Sequence, residues 1–164
     1  MCNTLGPVPF TPYHFGPALV AKAIFPRTIS LRAFAATQVA IDSEPLYRMF
    51  AGIEPLHGPL HSVPGALLAS LVAVLAYAWW ARRSGHVLGW KAIADTTVFG
   101  ALSHVILDMW SHVDVARAYD LLGDNPPPDY EATARFCIYA GLVGAFMLAG
   151  RLADGVWRRR EGQN

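Results

Sequence analysis

The chain has 164 residues, 54% hydrophobic and only 15% charged, and its mean hydropathy is +0.31. Soluble domains carry charge on about 25% of residues, so this balance excludes an ordinary soluble fold and points to one membrane-embedded domain over 1–164. A net charge of +1, with no basic stripe, gives no surface for nucleic acid. The two cysteines, Cys2 and Cys137, exclude a disulfide framework and a cysteine-based zinc motif.

The opening stretch MCNTLGPVPFTPYHFG lacks the basic start and apolar run of a signal peptide, so insertion is expected through helices of the chain itself. Thr11 to Phe25 predicts a short first helix, capped at Thr11 with Pro12 in its first turn. Pro26 and Arg27 interrupt it, and ISLRAFAATQVAI (29–41), running on toward PLYRMF, predicts a second. After the loop GIEPLHGPLHSVPG, the uncharged stretch VPGALLASLVAVLAYAWWA (63–81) predicts a third. Its helical length of about 28 Å matches the ~30 Å hydrocarbon core of a bilayer. ARRSGHVLGW turns the chain into a fourth helix, Trp90 to Trp110. The polar connection DLLGDNPPPDYEA (120–132) precedes a fifth, residues 136–157. The expected fold is all-α, a polytopic transmembrane bundle of four to five helices, the short first helix deciding the number.

Five alternating helices put Lys22, Arg27, Arg32, Arg82, Arg83, Lys91, Arg151 and Arg158 to Arg160 on one side, and Arg48, Arg117 and Arg135 on the other. Basic residues favour the cytoplasmic side, which predicts the N-terminus outside and the C-terminus inside. Trp79, Trp80, Trp90 and Trp157 then fall at the cytoplasmic interface.

On this map His14, Asp42, Glu44, His57, His61, His104 and Asp108 share the outer face, and only His86 among the histidines is cytoplasmic. His104 and Asp108, four apart, stand one above the other on a helix, in reach of one cation. His112 is four further on but turned ~80° from His104 on an unbroken helix, and ranks below them. Lys91 and Asp95, also four apart, make a surface pair that needs no site. Imidazole and carboxylate without thiolate favour zinc, manganese or iron. The set His14, Asp42, His61, His104 and Asp108 exceeds one tetrahedral ion, so one or two ions are expected, with an aspartate bridging in the second case. A metal with an open position lowers the pKa of its water to ~7 and makes a hydrolytic nucleophile. Glu44 or His57 would then orient that water or protonate a leaving group.

The pieces YHFGPAL, AIDSEP, HGPLHS and LSHVILDMW resemble the motifs of bacterial inner-membrane metal-dependent hydrolases, a family of small polytopic proteins with a LexA-regulated member. The resemblance covers roughly residues 10–112. It implies metal ligation by His14, Asp42, His61, His104 and Asp108, and an inner-membrane location. HGPLHS is one residue shorter than the family segment and lacks its Arg and Thr, so His61 and Ser62 match while His57 has no firm counterpart. The H-x-x-x-D helix is similar, more weakly, to zinc-dependent phospholipases C. That similarity implies a phosphoester, such as a lipid headgroup, as substrate. Three functional expectations follow: a hydrolase of small-molecule or lipid esters and phosphoesters at the bilayer, a non-enzymatic metal-binding or transport protein, or a structural membrane protein whose His–Asp pairs serve packing.

Overall fold

The computed structural model describes residues 11–119 and 130–161. Six α-helices and two 3-10 turns make up the ordered elements, with no strand among the described residues. A 3-10 turn, Thr11–His14, leads into α1, Phe15–Ile24, and α2 spans Leu31–Ala51. A second 3-10 turn, Pro59–His61, precedes α3, Val63–Arg83. The helices α4, Trp90–Ser111, α5, Val113–Ala118, and α6, Tyr130–Glu161, complete the chain.

Local chemistry sets the boundaries. Ser30 Oγ accepts a hydrogen bond from the Ala33 amide (3.4 Å) and caps α2. The helix then passes through Pro45, whose missing N–H leaves the Ile41 carbonyl without its usual donor. It stops at Gly52, which takes a left-handed φ of 66° so that the Ile53 amide can reach back to the Arg48 carbonyl (2.9 Å). Ser62 caps α3 by accepting from the Gly65 amide (3.1 Å), with Pro64 in the first turn.

α2 takes in the PLYRMF segment and runs on to Ala51. Two differences from the expected helices stand out. α6 begins at Tyr130 rather than Phe136, its first turn carrying Glu131 in an i,i+4 pair with Arg135 (3.8 Å), a placement the helix dipole favours. The chain also breaks at His112, in an extended conformation (φ −121°, ψ 122°), and starts the unforeseen α5.

Among the described residues, three helices are long and apolar enough to cross a membrane: α3, α4 and residues 130–154 of α6. Only 17% of the apolar window of α3 and 11% of that of α6 is buried within the protein. Leu68, Leu71, Val72 and Leu75 on α3, and Leu142, Val143 and Phe146 on α6, point outward instead. Water would penalise so much exposed apolar surface; lipid does not. Helix α1, at 10 residues, is about 15 Å long, and α2 carries Arg32, Asp42, Glu44 and Arg48. Neither has the form of a simple apolar span. At the far end of α3 the Arg83 guanidinium sits 3.7 Å above the Trp79 ring.

Small residues set how closely the helices approach, as in membrane packing generally. Helix α1 lies along α6, where a side chain at Gly16 would run into the Cys137 carbonyl and one at Gly144 into the backbone of Leu19 and Val20. Helices α2, α3 and α4 pack together around Ile41, Ala66, Ala101 and Val105. At the α2–α4 crossing, a Cβ on Gly100 would fall 2.5 Å from the Thr37 hydroxyl.

Candidate metal centre

Next to the core of α2, α3 and α4 lies a polar cluster built from α2, α4 and the 3-10 turn before α3. Helix α4 supplies His104 and Asp108, with His104 Nε2 3.1 Å from Asp108 Oδ2. Helix α2 supplies Asp42, whose Oδ1 is 3.3 Å from His104 Nε2. The 3-10 turn supplies His61, its Nε2 3.2 Å from Asp108 Oδ2 and 3.3 Å from His104 Nε2. His61, His104 and Asp108 are buried; the Asp42 side chain keeps 23% exposure and is the most accessible donor.

These separations match a coordination shell. Four donors at ~2.0–2.1 Å around a tetrahedral ion are about 3.3 Å apart along each edge. Asp42, His61, His104 and Asp108 each offer one donor atom, all within 4.8 Å of one another, and so form a group able to hold an ion.

Hydrogen bonding around the cluster orients the imidazoles. Gln38 donates from Nε2 to the Thr37 hydroxyl (2.9 Å) and to the Gly100 carbonyl (3.2 Å), which turns its Oε1 toward His104 Nδ1 at 2.8 Å. Nδ1 of His104 must therefore be the protonated nitrogen, and in the neutral ring Nε2 presents a lone pair to the cluster. His61 Nδ1 faces Glu44 Oε2 at 3.6 Å, longer than a hydrogen bond, and the carboxylate charge still favours the proton on that side. Glu44 is otherwise committed: Oε2 accepts from the Leu60 amide (2.8 Å) and Oε1 pairs with Arg48 Nε (3.4 Å). It anchors the loop that carries His61. The Tyr119 hydroxyl fixes the same turn by donating to the His61 carbonyl (3.0 Å).

His14 reaches the cluster from the other side of Asp108. Its Nε2 is 3.5 Å from Asp108 Oδ1, and its ring stacks at 4.4 Å on that of His104. It lies beside the four-donor set, not within it. Burial, with the neighbouring His104 adding to the effect, pushes its pKa down to about 4, so the ring is neutral at ordinary pH. A crevice between the first 3-10 turn, α4 and α6, lined in part by Tyr13, Ser111, Tyr130 and Thr133, opens onto His14.

His57 occupies an adjacent position. Its ring meets that of His61 at 4.6 Å, and its Nδ1 is 2.8 Å from Asp114 Oδ2. The His57 amide also donates to that oxygen (3.3 Å). Burial alone would raise the Asp114 pKa, but the contacts from His57 prevail and bring it down to about 2. His112 stacks on His57 at 4.2 Å, and burial lowers its pKa.

The structure thus brings together Asp42, His61, His104 and Asp108, with His14 and Glu44 in direct contact and His57 one ring further out. Sequence reasoning missed Gln38 and Asp114. Gln38 stands four residues before Asp42 in an otherwise apolar run, and that spacing is the signal that would have found it. Comparisons with protein-family models, with curated proteins and with solved structures find no match to this chain.

Proposed function

We propose that the protein is a membrane-embedded metal-dependent hydrolase of esters or phosphoesters, lipid headgroups among them. In this reading the inner membrane holds four to five of its helices, with the N-terminus outside and the centre near the extracytoplasmic face. The observation that carries the proposal is the convergence, from three separate segments, of two imidazole nitrogens and two carboxylate oxygens within 4.8 Å of one another, with His104 Nε2 3.1–3.3 Å from each of the other three residues. Two buried or half-buried carboxylates need compensating charge, and one divalent cation at their common point supplies it. Asp42, His61, His104 and Asp108 would hold the ion, zinc first by donor type, with manganese or iron next. A bound divalent ion supplies Lewis acidity and a water of lowered pKa. Around it, Gln38 orients the His104 imidazole, Glu44 anchors the loop that carries His61, and the crevice at His14 offers an approach between α4 and α6. The resemblance of the sequence motifs to inner-membrane hydrolases points the same way.

One observation favours a second reading, a non-enzymatic protein that holds or passes a metal. Four protein donors already complete a tetrahedron, whereas catalytic zinc normally keeps a position open.

Elemental analysis of the purified protein, compared with the His104→Ala/Asp108→Ala double variant, tests the centre. At least one equivalent of metal in the native chain and its loss in the variant is the expected outcome; equal metal content in the two sinks both readings. Turnover of a panel of carboxylic and phosphoric esters in mixed micelles then separates them. A hydrolase loses activity on removal of the metal and regains it on reloading. A metal-loaded protein inert toward the whole panel leaves the holding or transport reading.

A further inference from the structure

We propose that His57, His112 and Asp114 form a second divalent-cation site, distinct in its ligands from the first and open on one side. Each residue offers one donor atom, and the three atoms lie within 4.8 Å of one another. They come from three places in the fold: the loop before α3, the break between α4 and α5, and the first turn of α5. That break creates the site. The extended backbone at His112 ends α4, and its ring lies against that of His57.

The donor chemistry is that of an ion site. Two imidazoles and one carboxylate are the ligand set of metal centres that retain exchangeable positions. Both bonds from His57 to Asp114 fall on Oδ2; Oδ1 takes neither. The Asp114 side chain keeps 34% exposure and that of His57 8%, so the group lies at the protein's edge with one side accessible to solvent. The first centre differs in having four donors, three of them buried. The two sets touch through the His57 and His61 rings. An ion held by three residues at an accessible edge has room for a water or a substrate oxygen. That its water serves hydrolysis rests on the proposed function; that the site takes a cation does not.

The test is zinc stoichiometry on the full-length protein in detergent, stripped with chelator and reloaded with zinc alone. The wild type is expected to hold two equivalents, and His112→Gln/Asp114→Asn and His104→Ala/Asp108→Ala one each. Two equivalents in the wild type, unchanged in His112→Gln/Asp114→Asn, overturn the second site. One equivalent lost only with His104 and Asp108 does the same and leaves the first centre standing. One equivalent lost only with His112 and Asp114 supports the second site and removes the first. No bound zinc overturns both.

Cobalt gives a readout that does not depend on removing a ligand. His112→Cys loaded with cobalt is expected to show a thiolate-to-cobalt charge-transfer band that the cobalt-loaded wild type, with Cys2 and Cys137 as its two cysteines, does not give. A cobalt-loaded His112→Cys protein without that band counts against His112 as a ligand.

Discussion

At the scale of residues, the first centre depends on how its imidazoles are held. His104 can present Nε2 because Gln38 accepts from Nδ1, and Gln38 is itself fixed by Thr37 and Gly100. Partners of this kind typically contribute 10–100-fold to metal affinity. Gln38→Leu keeps the volume and removes the acceptor, and is expected to weaken zinc binding by roughly that factor. Competition with a chromophoric chelator measures it, and an unchanged dissociation constant would remove Gln38 from the site. The pair His104 and Asp108 was legible in the sequence because helix geometry alone fixes an i,i+4 relation. His61 and Asp42 were legible through the motifs around them. Asp114 was not, since its place depends on a chain break at His112 that only packing against the α2–α3 loop defines.

At the scale of elements, close approach between helices rests on a few glycines. The α1–α6 seam has no room for a side chain at Gly16 or Gly144, whereas nothing lies within 4 Å of a Cβ at Gly150. Gly144→Leu is expected to destabilise the protein by about 1–3 kcal/mol, the usual range for overpacking a tight contact, and Gly150→Leu to leave it unchanged. Thermal unfolding in detergent, followed by loss of the monodisperse peak on size exclusion, gives the comparison; equal behaviour of the two variants would contradict the seam. The hydrophobic stretches of α3 and α4 were readable because lipid-facing helices are apolar on most sides. The continuation of α2 through PLYRMF was an open alternative in the sequence, because Pro45 and the charges around it also suit a helix end.

At the scale of the whole molecule, the outward apolar surfaces of α3 and α6 suit a bilayer, and the proposed topology assigns the charges to its two sides. Single cysteines placed at Glu54, in the loop before α3, and at Ser84, just after it, in a chain with Cys2 and Cys137 changed to serine, flank α3. A membrane-impermeant thiol reagent applied from the periplasmic side is expected to label the Glu54 position and spare Ser84. Labelling of both from one side would deny that α3 crosses. The all-helical class and the crossing helices followed from composition and run length. How α1 and α2 sit against them did not, since α1 is too short and α2 too charged to be placed by hydropathy.

The seam between α1 and α6 also has a bearing on biosynthesis. The segment bearing His14 is translated well before the surface on which its helix rests, around Cys137 and Gly144. Asp42, His61, His104 and Asp108 have all been translated before that surface exists. A nascent chain therefore has every donor of the inner cluster before α1 has a seat, and the contact between His14 and Asp108 is the one whose completion waits on α6.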